Sequence, residues 1–164
     1  MTPRIAVVGA GPGGLTCARV LQMNHVDVTV LEQEQAPDSR AQGGSLDLHA
    51  DSGQVALKAA GLYDQFMALA RPEGQESRLV DPVTAELVRH EMPDGDFKPE
   101  IDRGQLRTLL LDSLAEGTVQ WGRAVRAVGP TGEILFADNT KNRYDLVIGA
   151  DGAWSRVRAA GQTV

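Results

Sequence analysis

The stretch that decides the fold spans residues 4–14 and reads RIAVVGAGPGG. Its first half, Arg4–Val8, is short, β-branched and almost wholly apolar, which predicts a strand buried on both faces, as in a parallel sheet. A glycine-rich turn follows, and apolar residues at helical spacing predict a helix over 13–23. A second apolar strand is predicted over 26–31. Strand, turn, helix and strand form a βαβ unit, whose crossover is expected to be right-handed.

Three glycines of the turn, Gly9, Gly11 and Gly14, have the spacing G-x-G-x-x-G. The first permits the tight turn out of the strand, the second lets a pyrophosphate approach the backbone, and the third lets the helix pack closely. The N-terminus of the helix adds free N–H groups and the positive end of the helix dipole. Because strand and helix flank the motif as it requires, it predicts a dinucleotide-binding site.

Glu32 closes the second strand, about 20 residues beyond the glycines, where an acidic side chain accepts hydrogen bonds from ribose hydroxyls. A carboxylate here repels a 2′-phosphate, so the adenosine of FAD or NAD is expected rather than that of NADP. A glycine turn that served packing alone would leave Glu32 unexplained.

The composition argues against several classes of function. Lys and Arg number 16 and Asp and Glu 22, a net charge of −6, which disfavours binding to nucleic acid or to an anionic membrane. The apolar runs are too short for a membrane-spanning helix. Cys17 is the only cysteine, so an internal disulfide or a cysteine metal cluster cannot form, and a cytoplasmic location is expected. We predict no metal ligand and no catalytic side chain.

The rest of the chain predicts an α/β fold with a parallel central sheet and a small β-meander. Segment 71–99 is predicted as loops with one weak hairpin, Ser77–Val80 against Glu86–His90. Further strands are predicted over 45–48, 119–121, 123–128, 133–137 and 144–148, and further helices over 51–60, 62–70, 102–114 and 154–160.

Other residues could carry chemistry on weaker signals. Gly149-Ala150-Asp151-Gly152 follows a buried strand, and its glycines permit close backbone approach, although an ordinary strand-to-helix turn explains the pattern equally well. Arg103 and Arg107 stand four apart on one helix and could meet an anion, although two solvated arginines are the commoner outcome. Trp121 and Trp154 are expected to be core or partly buried aromatics.

Three features together resemble the FAD-dependent class A aromatic monooxygenases, the hydroxybenzoate-hydroxylase-like group. They are GAGPGGL over 9–15 with Glu32, Arg103 in an Asp-Arg-x-x-Leu-Arg segment, and DLVIGADGAWSRVR over 145–158, which is similar to the family's second fingerprint. Within the family, GGSLDLH over 43–49 most resembles the tetracycline-inactivating monooxygenases. The resemblance covers essentially the whole chain.

The resemblance implies a Rossmann-like FAD-binding domain and a set of cofactor contacts. Glu32 would hold the adenosine ribose, and the glycine turn would hold the pyrophosphate. Arg40, Asp47 and Arg103 would line the flavin, with Arg40 facing the reducing nicotinamide. The element that contains Asp151 would touch both FAD and NADPH. The cofactor-binding residues predicted in this way are Gly9, Gly11, Pro12, Gly13, Gly14, Glu32, Arg40, Asp47, Arg103, Asp151 and Gly152.

The resemblance also implies an activity. NADPH would reduce FAD, and the reduced flavin would use oxygen to hydroxylate a small aromatic or polyketide substrate. A tetracycline as that substrate would make the protein an antibiotic-resistance enzyme. The flavin carries such chemistry and the protein orients it, so no nucleophilic side chain is required.

The length of the chain departs from this family, whose members are usually more than twice as long. They continue into a substrate-binding sheet and a third motif, Gly-Asp. Residues 1–164 are therefore predicted to be an incomplete FAD/NAD(P)-binding domain that lacks the substrate domain, is inactive alone and pairs with a complementary C-terminal chain. Two alternatives stay open: a catalytically inert dinucleotide-binding fragment or half of a split protein, and a flavin oxidase or NAD-dependent dehydrogenase on the same βαβ unit.

Overall fold

The computed structural model describes residues 2–72, 76–91 and 97–161. The chain divides into two compact units. The first is built from the chain up to Ala41 and from Arg107 onward, and the second from Gln42–Leu106. Parts of the predicted loop segment 71–99 fall at 73–75 and 92–96, outside the described residues. Within the described ranges, no helix combines the length and the apolar content that crossing a bilayer requires.

The described residues form short strands and short helices. The strands are β1 (Ile5–Val8), β2 (Val28–Leu31), β3 (Ser45–Asp47), β4 (Ser77–Val80), β5 (Leu87–Glu91), β6 (Glu100–Asp102), β7 (Val119–Gln120), β8 (Val125–Val128), β9 (Glu133–Phe136), β10 (Lys141–Arg143) and β11 (Leu146–Gly149). The helices are α1 (Pro12–Met23), α2 (Gly53–Ala59), α3 (Tyr63–Leu69), α4 (Arg103–Asp112) and α5 (Arg158–Gly161).

A parallel sheet forms the centre of the first unit, with the strand order β11-β1-β2-β7. Ile5 of β1 pairs in parallel with Val28 of β2 on one side and with Leu146 of β11 on the other. All four residues of β1 are buried, because a central strand of a parallel sheet is covered on both faces. The predicted βαβ unit and parallel sheet are confirmed.

Helix α1 begins at Pro12, one residue earlier than predicted. Proline suits the first helical position because its missing N–H would have no partner there and its φ is already helical. Gly11 is the N-cap, with an extended backbone at φ −78° and ψ 173°. The helix therefore starts directly against the glycine turn.

The predicted β-meander is confirmed as an antiparallel sheet of order β10-β9-β8. Ile134 and Phe136 of β9 are buried and join a core cluster that includes Ala6 and Leu31 of the parallel sheet. Strand β10 is missed by the sequence pattern, since Lys-Asn-Arg lacks apolar alternation. Its pairing with β9, Asn142 opposite Ile134, makes it a strand.

Among its described residues, the second unit contains the antiparallel strand pairs β3–β6 and β4–β5 and the helices α2 and α3. β3 pairs with β6, with Ser45 opposite Asp102, and the predicted hairpin is confirmed as β4 against β5. The buried side chains of the second unit include Leu57 of α2, Phe66 of α3 and Ile101 of β6. The pattern misses β6, because a strand of three residues with one apolar side chain carries too little periodicity to be recognised.

Gly13 and Gly14 differ in the space around them, and this predicts opposite effects of alanine. A Cβ on Gly14 would lie 2.0 Å from the carbonyl oxygen of Gly9, whereas a Cβ on Gly13 meets nothing within 4 Å. We expect Gly14→Ala to lower the free energy of unfolding by about 3 kcal/mol through overpacking. Gly13→Ala should instead raise it by about 0.5–1 kcal/mol, since alanine favours a helix over glycine.

Urea unfolding followed by circular dichroism measures both changes. Equal effects of the two substitutions would contradict the packing role assigned to Gly14.

Candidate functional site

The turn after β1 lies directly against the turn after β11. The amide of Gly9 donates to the carbonyl of Leu31 at 2.8 Å, and the amide of Ala150 donates to the carbonyl of Val8 at 2.8 Å. Gly9 has φ +104°, and a Cβ there would lie 2.6 Å from the carbonyl oxygen of Ala150. The two glycine motifs of the sequence therefore meet at the carboxyl edge of the parallel sheet, where open α/β sheets bind ligands.

The glycines of the first turn fall into two physical classes. Gly9 and Gly14 are required by packing, because a Cβ on either would collide with backbone atoms. A Cβ on Gly11 or on Gly13 meets no atom within 4 Å. The space in front of the first turn of α1 is therefore open, and the backbone there is accessible to a ligand.

The N-terminus of α1 is suited to an anion. Its N-cap is Gly11, which has no side chain to cap the helix, and the first turn carries no acidic residue. The first N–H groups of a helix lack intrahelical partners, and the helix dipole favours negative charge beside them. A phosphate can approach this end of α1 without displacing a protein side chain.

Glu32 connects the end of β2 to the glycine turn. Glu32 is 7% exposed. Its Oε2 accepts a hydrogen bond from the amide of Ala10 at 2.6 Å, and its Oε1 accepts one from the amide of Glu34 at 3.0 Å. Both donors are uncharged backbone groups. An ionised carboxylate has further lone pairs, so Glu32 retains acceptor capacity for hydroxyl groups beside the turn.

Arg107 is a buried member of the site that the predicted set omits. Its Nε donates to the carbonyl of Ala10 at 3.2 Å, its Nη1 to the carbonyl of Pro37 at 3.1 Å, and its Nη2 to Oε2 of Glu34 at 2.7 Å. The guanidinium also lies 5.6 Å from the centre of the Trp121 ring. The residue is 4% exposed, so a solvated arginine is the wrong expectation here.

A sequence signal for this burial exists. Arg107 lies three residues before Leu110, which is fully buried, and so falls within the apolar stripe of α4. An arginine inside such a stripe is buried only when its donors find acceptors.

Glu34 forms ion pairs with two arginines. Its Oε2 binds Arg107, and its Oε1 binds Nε of Arg40, whose side chain is exposed. Burial raises the pKa of Glu34, but the hydrogen bonds from Arg40 and Arg107 outweigh it, so the pKa lies below its ordinary value. Arg40 thus has a partner within the first unit, and its role beside the flavin stays a prediction.

Asp151 organises the turn after β11. Its Oδ1 accepts from Oγ of Ser155 at 2.6 Å, and its Oδ2 accepts from the amide of Arg156 at 2.6 Å. Burial raises the pKa of Asp151, but the hydrogen bonds that its carboxylate accepts from the Ser155 side chain and from nearby backbone amides outweigh it and lower the pKa below its ordinary value. The turn delays the last helix, so α5 begins at Arg158 rather than at the predicted position 154.

Gly152 and Trp154 lie in the same turn. Gly152 has φ +78°, which favours glycine, and a Cβ there would meet nothing within 4 Å. Trp154 is 91% exposed, so its expected burial is wrong, whereas Trp121 is partly buried as expected. The cofactor contacts predicted for Asp151 and Gly152 stay predictions.

Asp47 and Arg103 belong to the second unit. Asp47 ends β3 and pairs with Glu100 of β6, and the amide of Arg103 donates to the carbonyl of Gly44 at 3.0 Å. Both side chains are exposed. Their predicted roles along the flavin stay predictions.

Known proteins provide an independent comparison. The model of the family described as "FAD binding domain" matches residues 2–163. The monooxygenase asqM of Emericella nidulans is 38% identical in an alignment that spans 96% of this chain and 40% of that protein. The chain therefore spans about two fifths of the length of this relative.

Solved structures show the same architecture. The tetrameric form of 2-methyl-3-hydroxypyridine-5-carboxylic acid oxygenase is 26% identical, with a TM-score of 0.82 over 97% of this chain and 42% of that one. Tetracycline destructase Tet(55) is 27% identical, with a TM-score of 0.77 over 99% of this chain and 41% of that one. The chain is thus similar in fold to about two fifths of each of these proteins.

The lowered pKa of Glu34 predicts a pH-dependent contribution to stability. Ionised Glu34 stabilises the fold above its ordinary pKa of 4.5, and this contribution is lost as the pH falls through the lowered pKa of the folded state. Glu34→Gln should therefore lower the free energy of unfolding by about 1–2 kcal/mol at pH 7. The difference from the unsubstituted protein should shrink as the pH falls below 4.5.

Urea titrations at a series of pH values measure this difference, and the exposed Glu116→Gln serves as the control. A destabilisation by Glu34→Gln that does not change with pH would show that its charge is not involved.

Proposed function

Since the chain belongs to the family of FAD binding domains, we propose that it is the FAD-binding part of an NADPH-dependent flavin monooxygenase that hydroxylates an aromatic or polyketide substrate. We take the whole range 1–164 as one FAD/NAD(P)-binding domain. The observation that carries the proposal is the contrast among the four glycines of the first turn.

At Gly9 and Gly14, backbone atoms occupy the space that a Cβ would need. At Gly11 and Gly13 this space is open, and both residues lie at a helix N-terminus that has no side-chain cap. A turn that served packing alone would not need glycine at the two open positions. A pyrophosphate that approaches the backbone does need them, because a side chain there would occupy its place. The residues present therefore fit the diphosphate of FAD.

Glu32 would hold the adenosine ribose. It is buried, and it accepts hydrogen bonds from the backbone amides of Ala10, which belongs to the turn itself, and of Glu34. A partly dry carboxylate accepts hydroxyl donors readily and repels a further phosphate. This supports an adenosine with free ribose hydroxyls, as FAD has.

The other predicted contacts concern the flavin ring. Arg40, Asp47 and Arg103 are proposed to line the isoalloxazine, and Asp151 with Gly152 to lie beside both FAD and NADPH. Asp151 is ionised at neutral pH, since its pKa is lowered, and it uses its carboxylate to hold the turn. We therefore propose that Asp151 shapes the turn while Gly152 leaves room for the ligand.

When bound, FAD supplies the redox chemistry of the reaction. The residues of this chain would bind the adenosine and diphosphate and orient the cofactor. No side chain of this chain is proposed to form a covalent bond with substrate.

The relatives support a substrate class rather than one substrate. A pyridine carboxylic acid oxygenase and a tetracycline destructase are both structurally similar to the chain. A small aromatic or polyketide ring is therefore proposed, with a tetracycline as one candidate. A cytoplasmic location is a further proposal, which rests on the single cysteine.

Gly11→Val tests the diphosphate site. The backbone of Gly11 is extended and the space around it is open, so valine should be tolerated by the fold while its methyl groups occupy the approach of the diphosphate. We expect the dissociation constant for FAD to rise at least about tenfold. Quenching of flavin fluorescence measures binding, and circular dichroism confirms folding.

The matched control is Gly161→Val, which also has open space around its Cβ. If Gly11→Val binds FAD as tightly as the unsubstituted chain, the diphosphate does not lie at this turn.

Glu32→Ala tests the ribose contact. The unsubstituted chain should bind ADP-ribose at least about tenfold more tightly than 2′-phospho-ADP-ribose, because the carboxylate repels the added phosphate. Removal of the carboxylate should weaken the binding of ADP-ribose and reduce the difference between its affinity and that of 2′-phospho-ADP-ribose. Isothermal titration calorimetry measures both, and an unchanged ratio in the variant would remove Glu32 from the ribose site.

A further inference from the structure

We propose that Arg107 is a positioning residue that sets the direction of the Gly11 amide, so that the glycine turn is prepared for the diphosphate before the cofactor binds. The inference rests on the proposed function, since it assumes that the cofactor lies at this turn. Arg107 itself is 4% exposed and is not expected to touch the ligand.

The first step of the argument is the peptide group between Ala10 and Gly11. Nε of Arg107 donates to the carbonyl oxygen of Ala10 at 3.2 Å. A trans peptide is planar, and its C=O and N–H point in opposite directions. The bond from Arg107 therefore directs the N–H of Gly11 away from the guanidinium.

The preceding peptide is held as well. Oε2 of Glu32 accepts from the amide of Ala10 at 2.6 Å, so both backbone polar groups of Ala10 are bound by buried side chains. Ala10 is 1% exposed and stands between Gly9 and the open position of Gly11. Glycine neighbours allow many backbone conformations, and these two hydrogen bonds select one of them.

The same guanidinium fixes the segment that follows β2. It donates to the carbonyl of Pro37 at 3.1 Å and to the carboxylate of Glu34 at 2.7 Å. The backbone amide of Glu34 in turn donates to the carboxylate of Glu32. One side chain therefore links the turn, the helix α4 and the segment 34–37. A guanidinium is a rigid fork with several donors, whereas a lysine ammonium is a single point on a flexible stem.

The guanidinium of Arg107 is already engaged in an ion pair. Glu34 is its ion-pair partner, and Arg40 binds the other oxygen of Glu34. Arg107 should therefore act through the geometry of its donors rather than by attracting the diphosphate. Lysine, which keeps the charge, should fail to replace it.

The test compares Arg107→Lys and Arg107→Met with the unsubstituted chain in titrations with FAD and with ADP-ribose. We expect both variants to bind both ligands at least about tenfold more weakly, because each has lost the contact that orients Gly11. The matched control is Arg19→Met. Nη1 of Arg19 donates to the carbonyl of Ser113 at 2.7 Å, and Ser113 lies outside the glycine turn. This variant should lower thermal stability and leave both affinities unchanged.

A second readout needs no cofactor. In ¹⁵N-labelled chain without FAD, the Gly11 amide resonance should shift or broaden in Arg107→Lys, while that of Gly161 stays in place. If Arg107→Met does not fold, this measurement on Arg107→Lys still tests the inference.

The outcomes separate the inference from the function on which it rests. An unsubstituted chain that binds neither FAD nor ADP-ribose overturns the proposed function. Binding by that chain together with unchanged affinity in a folded Arg107→Lys overturns the inference alone. Lower thermal stability with unchanged affinity and an unchanged Gly11 resonance would likewise show that Arg107 only stabilises the fold.

Discussion

The rest of the structure depends on one close contact between backbones, where the turn after β1 meets the turn after β11. A side chain on Gly9 would lie 2.6 Å from the carbonyl of Ala150, and one on Gly14 would lie 2.0 Å from the carbonyl of Gly9. Strand, helix and second turn can pack this closely only because these positions lack a Cβ. The contact sets where α1 begins and leaves its N-terminus open at the sheet edge.

Around that contact, buried polar groups hold one another in place. Glu32 and Arg107 bind the two backbone groups of Ala10, and Glu34 pairs with Arg107. Buried charges are tolerated when they are paired and hydrogen-bonded, and such networks specify a single arrangement. The interior of the site is thus held by buried hydrogen bonds and an ion pair, while a Cβ on Gly11 or Gly13 would meet nothing within 4 Å, which leaves room for a ligand.

The sequence pattern was most informative where a structural feature depends on neighbouring residues. Apolar runs predict β1 and β2, and the glycine spacing predicts the turn and the helix that follows. The pattern misses β6 and β10 because each has three residues and is a strand only through pairing with a partner distant in sequence. The pattern also misplaces the start of α5, because the side chain of Asp151 holds residues 155 and 156 in a turn.

By itself, the sequence determined the βαβ unit and the positions of the glycines and of Glu32, since each follows from local backbone requirements at a fixed spacing. The family came from the resemblance of its motifs to those of known proteins. Only the tertiary structure decided which glycines serve packing and which leave room, and that Arg107 is buried. Ala10 and Arg107 are 97 residues apart in the chain. No local pattern predicts that a carbonyl in one segment will be the acceptor that allows an arginine in another to leave water.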